Sequence, residues 1–545
     1  MMSKIQMLSL AQRRLCTKHL RSVTLSSIRH RSSPTSTNLD QLHVERQKPP
    51  SPNFTDPKEA FGEKTFKELC RAYFVFNLCS VEFLVKYQFT LLNWMRRLFG
   101  RRIFEGVMRS TVYGQFLAGD TNERVIATAK KHSDGGVTPM FQYTAQEAHG
   151  FGGAEVLDDD TCWKKNFEAF KNSITIGSAV RQNKEHIKIS GKLTVLTSCD
   201  VLRKITSMVE LYTKVIPYAV EEITDKRQEP LQKILRDVLT SLKSHNPHGL
   251  VLPNVTFSKD TADSFATNMA THLALLNNKD VSTLIKELDI GEKVEFTDKE
   301  KSELLKVVDW MDQLANQTYK EDLCFLVDGE QSYLQLAFDI IALDLKRKFN
   351  QDRAVIHNTY QCYRKRTLDI VKRDLKITEN EKICFGAKVV RGAYIDEERK
   401  LAQELGKEDP INDTYDDTTE MYHNVAVTLL RHLVATNERK PEFTFATHNI
   451  DSVKFIMDKM NELQVSHNSQ NVGFAQLLGM RDYIAFPLGK AGFSAHKLLH
   501  YGPVEDAVAY LSRRLAENKA GVATANMERQ LLGKELRRRL NPMRQ

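Results

Sequence analysis

From about residue 137 onwards, short apolar runs alternate with segments of helical length, and this alternation constrains the fold more than any other feature. Eight runs read as strands: 137–143, 187–196, 323–328, 354–359, 383–390, 442–447, 471–476 and 494–501. Amphipathic stretches such as 331–349, 361–377, 418–435 and 451–463 lie between them. Strands joined by crossover helices pair in parallel, and a parallel sheet needs both faces covered. Repeated strand–helix units therefore predict an α/β parallel sheet, and eight of them predict closure into a (β/α)8 barrel. The spacing breaks once. Residues 200–320 are too many for a single crossover, and their patterns predict a helical insertion between the second and third strands.

Upstream of the barrel the charge is uneven. The 545 residues carry 78 Lys+Arg against 69 Asp+Glu. Residues 1–38 hold Lys4, Arg13, Arg14, Lys18, Arg21, Arg29 and Arg31 and no acid, so removing these seven leaves 71 basic groups against 69 acidic. The basic balance thus reports an address rather than a nucleic-acid footprint, and no nucleic-acid partner is expected. This Arg- and Ser-rich start, with Ile5, Leu8, Leu15 and Leu20 spaced through it, predicts a mitochondrial transit peptide over 1–39. Residues 40–125 are expected to form a linker and helical arm, the linker flexible to about residue 60 and the helix running from 64 to about 110. Within it, 83–104 is apolar but interrupted by Lys86, Arg96, Arg97, Arg101 and Arg102. An arm that packs is the expected reading, and a membrane-surface helix is the alternative. The barrel with its insertion is expected over 126–520 and a helical tail over 521–545. The eight cysteines form no CxxC pair, so neither a zinc site nor a disulfide framework is predicted,. No run reaches the roughly 18 apolar residues of a membrane span.

In such a barrel, chemistry gathers at the strands' carboxyl ends. In order these read Lys192 and Thr194; Asp328 and Glu330; Gln361; Lys388, Arg391 and Tyr394; Thr447, His448 and Asn449; Gln476; then 498–501. At 388–394 a strand breaks into a cation and two small residues, Arg391, Gly392 and Ala393, which lets backbone amides approach an anionic or planar ligand. The helix predicted over 506–518 puts Tyr510, Arg513, Arg514 and Glu517 on one face. Two adjacent guanidiniums form a rigid fork for a carboxylate or phosphate, and Glu517 can orient one of them. His448 could be a ligand, a base or a structural histidine. No second histidine stands at metal spacing, so zinc is not expected, and no GxSxG elbow or Cys/His signature points to a covalent hydrolase.

At these residues the sequence resembles the proline dehydrogenase family. The pieces are VDGEQ at 327–331, NTYQCY at 358–363, KVVRGAY at 388–394, DPI at 409–411, ATHN at 446–449, FAQLLGM at 474–480, FPLG at 486–489, YGP at 501–503, and YLSRR at 510–514 followed by Glu517 and Asn518. They run in the family's order, with 200–320 weakly matched. The resemblance implies a distorted (β/α)8 TIM-type barrel holding non-covalent FAD. It implies oxidation of L-proline to 1-pyrroline-5-carboxylate, with electrons passed to a membrane quinone at the matrix side of the mitochondrial inner membrane. On this resemblance Asp328 and Lys388 are the catalytic pair: Lys388 near the flavin's reactive edge, Asp328 ordering the site's charges. Lys192, Arg513 and Arg514 would clamp the substrate carboxylate, and Tyr510 and Leu498 would face the ring. Gln361, Arg391, Gly392, Ala393, Thr447, His448 and Glu517 would serve the cofactor.

Three positions depart from the family's pattern. Lys388 stands where some members have Arg, so the cation is kept and the planar fork lost. Gln142 stands where an Asp is usual, which removes a charge. Leu498, twelve residues before Tyr510, stands where proline dehydrogenases carry a Tyr and hydroxyproline-oxidising relatives a smaller polar residue. Leucine offers no hydrogen bond to a ring hydroxyl, so proline is the expected substrate. A hydroxyproline dehydrogenase and a non-catalytic barrel relative are the alternatives; the intact Lys192, Asp328, Arg513 and Arg514 argue against the second.

Overall fold

The computed structural model describes residues 51–81, 87–145, 158–181, 186–220, 294, 296–436, 440–520 and 522–541. The expected transit peptide, and residues 221–293 of the expected insertion, lie outside these described residues. The chain enters through helices α1 (Pro57–Phe61), α2 (Phe66–Cys79), α3 (Gln88–Ser110), α4 (Val112–Phe116) and α5 (Asn122–Asp134). Strand β1 (Thr138–Tyr143) is followed by α6 (Asp159–Val180), β2 (Lys188–Gly191), α7 (Cys199–Val220), α8 (Asp298–Lys320) and β3 (Cys324–Val327). Next come α9 (Ser332–Phe349), β4 (Ile356–Gln361), α10 (Thr367–Glu381), β5 (Gly386–Val390), α11 (Ile395–Glu404), α12 (Tyr415–Ala435) and β6 (Glu442–Ala446). The chain closes through α13 (Ile450–Glu462), β7 (Val472–Leu477), α14 (Asp482–Lys490), β8 (Ser494–Tyr501), α15 (Val508–Ala520) and α16 (Val522–Leu540).

The eight strands form one closed barrel in chain order. β8 returns to pair in parallel with β1, from Thr138 opposite His496 to Tyr143 opposite Tyr501. All eight expected strands are present, and two end more than one residue from the expected position. β2 stops at Gly191, because Lys192 and Thr194 turn away to bond Glu330. β4 runs on to Gln361, so the helix expected from 361 begins only at Thr367, whose hydroxyl donates to the Gln361 carbonyl at 2.6 Å. The expected insertion opens with α7, which packs on α9, and closes with α8, which packs on β3, α6 and α9 as a barrel helix does.

Within the expected flexible linker, the described residues 51–60 are packed rather than free. Asp56 caps α1 by accepting from the Lys58 amide at 2.7 Å, Pro57 starts it, and Phe54, Ala60 and Phe61 are buried. Phe61 enters a core with Phe486, Leu531 and Leu532, so the arm and the tail helix α16 share one anchor on the barrel. The helix expected from 64 to 110 is also interrupted. Thr65 and Glu68 form a capping box at the start of α2, and Gly100, with φ +71°, breaks α3 in two.

Strand alternation sorts the side chains. Phe385, just before β5, and Ala387 and Val389 within it face the helices, while Lys388 faces the barrel axis. The axis is layered. At the amino ends of the strands Lys188 pairs with Glu442 at 2.9 Å, His186 bonds Glu442 at 2.7 Å, and Lys188 donates to His496 at 3.2 Å. Above them Met140, Leu326, Ala475 and Leu498 fill the axis.

Among the buried charges outside the barrel wall is the Lys346 ammonium. Lys346 of α9 lies over the Phe385 ring at 4.7 Å, and burial, only partly offset by Asp374 and Asp339, lowers its pKa to about 8. The unfolded chain therefore binds more protons than the folded one between pH 8 and the ordinary lysine value of 10.5, and stability rises with pH across that window,. Lys346→Met should stabilise the protein at pH 7 by up to about 3 kcal/mol. The gain should shrink above pH 8 and vanish above 10.5, as read by denaturant unfolding against pH.

Candidate active site

β3 ends at Val327 and delivers Asp328 to the barrel mouth. Lys388, the third residue of β5 rather than its last, reaches up to place Nζ 2.7 Å from Asp328 Oδ1. Ser190 of β2 donates to the same oxygen at 2.6 Å, and Gln142 of β1 donates to Oδ2 at 2.5 Å. Strands β1, β2, β3 and β5 thus meet on one carboxylate, which is buried with its partners. A second acid at position 142 would face Asp328 with like-charge repulsion. Gln142 instead offers an amide donor, so Lys388 balances a single negative charge.

Beside this group, Lys192 pairs with Glu330 at 3.0 Å and donates to the Tyr394 hydroxyl at 3.3 Å. Burial alone would lower its pKa, but the Glu330 and Tyr394 oxygens outweigh it and keep the ammonium charged. Thr194 donates to the other Glu330 oxygen at 2.7 Å.

On the far side, His500 of β8 stacks on Tyr510 of α15, with ring centroids 3.9 Å apart and planes at 23°. The Arg514 guanidinium lies 4.9 Å from the Tyr510 ring centroid. Burial drives the His500 pKa well below its ordinary value, and the charges of Arg514, Lys388, Arg513 and Lys192 push it further. His500 is therefore neutral at pH 7, and it registers four cations converging on one mouth. Arg514 is half-buried, whereas Arg513 is exposed. Glu517 lies in α15, but its side chain is outside the described residues. Leu498 is buried against Met140 and Ala475, so the wall below Tyr510 is apolar.

The β4–β6 side of the mouth carries the remaining candidates. Gln361 donates to the Glu330 carbonyl at 2.7 Å. Arg391 donates to Thr419 Oγ1 at 2.8 Å, and its guanidinium lies 4.3 Å from the Tyr415 ring centroid. Its Nη1 is buried without a hydrogen-bond partner. Gly392 has φ +133°, and a Cβ there would meet the Tyr363 ring at 2.3 Å, so only glycine lets this loop lie flat,. Ala393 is exposed at the loop's edge. Thr447 is buried and accepts from the Asn449 amide at 3.1 Å. His448 Nε2 accepts from the Leu477 amide at 3.2 Å. Burial, then the charges of Arg481, Lys497 and Arg514, pushes its pKa well below the ordinary value. A neutral His448 that accepts through Nε2 keeps its proton on Nδ1, which leaves a donor. Of the three roles open to it from sequence, the structure shows the hydrogen-bonding one.

Ser190 and His500 were not singled out from sequence. Their signal was the two-residue alternation of an inward strand face: Lys188 and Ser190 on β2, and His496, Leu498, His500 on β8. Folding also gathers a group that spacing could not show. Ligand atoms of Cys324, His357 and Glu442 lie within 4.8 Å of one another at the barrel floor. Glu442 is already engaged there by Lys188 and His186.

A family model described as proline dehydrogenase matches residues 165–527. Among curated relatives, "Proline dehydrogenase 1, mitochondrial" of Drosophila melanogaster is 30% identical, with 90% of this chain and 81% of the relative covered. "Hydroxyproline dehydrogenase" of Xenopus laevis is 28% identical, with 88% and 89% covered. A crystal structure of proline utilization A from Bdellovibrio bacteriovorus shares the fold at TM-score 0.51 and 14% identity. The match covers 85% of this chain, which spans only 38% of that longer one.

Proposed function

The chain belongs to the proline dehydrogenase family, and on that premise we propose that it binds FAD and oxidises L-proline to 1-pyrroline-5-carboxylate, passing electrons to a membrane quinone. The observation that carries this reading is the Asp328–Lys388 pair, held by Ser190 and Gln142 beneath a mouth where four cations converge on His500. The residues present fit the cofactor. Arg391 Nη1 is a buried cationic donor without a partner, suited to a phosphate, and the Gly392 loop and the His448 Nδ1 proton offer further donors on the same rim. Bound there, FAD would supply the acceptor for the hydride.

The protein supplies binding and charge. Lys192, Arg513 and Arg514 hold the substrate carboxylate, and Tyr510, stiffened by His500, packs on the ring. Fixing both ends of a small substrate converts binding into orientation. Like charges disfavour a protonated amine, so the cations around the mouth favour loss of the ring nitrogen's proton before oxidation. Lys388 holds a positive charge at the centre, and Asp328 keeps it in place. Residues 1–39 act as a mitochondrial presequence, and the enzyme works at the matrix face of the inner membrane; the mitochondrial relative supports this address.

Purified protein should show visible flavin absorbance that L-proline bleaches without air. A folded, flavin-loaded protein that proline cannot bleach would overturn the reading. Leu498 fits proline better than hydroxyproline. Burying a hydroxyl without a partner costs roughly 1–3 kcal/mol, so kcat/KM for proline should exceed that for trans-4-hydroxyproline by about 10- to 100-fold. A higher value for hydroxyproline would favour the alternative substrate.

A further inference from the structure

The two sides of α3 differ sharply. Phe104 and Met108 are buried in a core with Val112, Tyr113, Tyr510 and Leu511, so the inner side of α3 packs in the same cluster as the substrate helix α15. The other side exposes Trp94 (63%), Leu98 (55%), Phe99 (55%), Ile103 (57%) and Val107 (40%). Trp94 and Leu98 sit four residues apart, as do Ile103 and Val107, giving each half of the helix an apolar stripe. Gly100 joins the halves with φ +71°. Contiguous exposed apolar surface of this kind marks an interaction site.

The fringe of the patch decides between partners. Arg97 and Arg102 are exposed and have no acidic partner among the described residues. Arg101 is also exposed, although it pairs with Glu105. Glu105 is the one acid within α3, and it is taken by Arg101 and Arg109. A second copy docked face to face would set these arginines against themselves, since a two-fold interface repeats one patch. An anionic bilayer would neutralise them while the aromatic and aliphatic side chains entered its boundary. We propose that the outward face of α3 docks the protein on an anionic phospholipid surface. The proposal rests on the reading of a membrane electron acceptor and names the element that makes the contact. Its position suits that purpose. Arg96 bonds Glu505 at 2.8 Å, in the loop between β8 and α15, so the docking helix is tied to the rim of the mouth.

The test is co-sedimentation of the full chain with vesicles of phosphatidylcholine alone, or of phosphatidylcholine mixed with phosphatidylglycerol. Binding should require the anionic lipid and fall as salt rises. Arg97→Gln with Arg102→Gln should weaken it about thirtyfold, and Trp94→Ser with Leu98→Ser and Ile103→Ser should abolish it. Flavin bleaching by proline without vesicles should be unchanged in both variants, which separates loss of docking from failure of the catalytic reading. Absence of wild-type binding to anionic vesicles, or undiminished binding by the arginine variant, would overturn the proposal. So would a concentration-dependent dimer abolished by the apolar variant, which would give this face to a second copy.

Discussion

Asp328→Ala should abolish turnover and destabilise the protein by about 3–5 kcal/mol, the cost of leaving one partner of a buried ion pair uncompensated. The carboxylate receives Lys388 at 2.7 Å, Ser190 at 2.6 Å and Gln142 at 2.5 Å, so its removal strands three donors at once. Lys388→Met should also abolish turnover but destabilise less, because Ser190 and Gln142 still satisfy the remaining carboxylate. The double variant Asp328→Ala/Lys388→Met should recover stability relative to Asp328→Ala alone without recovering activity. Denaturant unfolding and the rate of proline-driven bleaching measure the two quantities separately. An Asp328→Ala protein that unfolds like wild type and still turns over would remove the pair from the mechanism.

Arg514→Met should raise KM for proline by roughly thirtyfold or more, since truncating one member of a buried charge pair costs about 2–5 kcal/mol. The effect has two sources: loss of a carboxylate contact, and loss of the guanidinium packed 4.9 Å from the Tyr510 ring centroid. Arg513 is exposed, so its contact is screened, and Arg513→Met should raise KM by about fivefold at most,. The sequence placed the two arginines as equals on one face; burial separates them. Steady-state kinetics on both variants checks this, and unchanged KM in both would refute the clamp.

The barrel was legible because its signal is repetitive. Eight apolar runs, each followed by a helix-length segment, leave few alternatives to a closed parallel sheet. The carboxyl ends of β3 and β5 were legible for the same reason, so Asp328 and Arg391 could be placed at the barrel mouth from the sequence. What spacing could not show were the pairings across the mouth. That Ser190 and Gln142 share one carboxylate depends on the stagger between β1, β2 and β3, which no local pattern encodes. Gln142 read as a missing charge, and the fold makes it a donor. Residues 51–60 were misread because Phe54 looks isolated in a polar stretch; it joins a cluster with Phe486 and Leu531, hundreds of residues away.

The ionic floor of the barrel bears on how the chain folds. His186 and Glu442 bond across 256 positions of sequence, and Lys188 beside them is wholly buried. Neither charge finds its partner until β2 and β6, on opposite sides of the ring, are both in place. A barrel lacking β6 and the strands after it would strand an unpaired lysine in its interior, so half-built assemblies are penalised and closure is favoured as one cooperative event. A slip of one residue in either strand would turn the pair outward and break it. The floor therefore acts as a keystone, fixing strand register beneath a site whose geometry depends on that register.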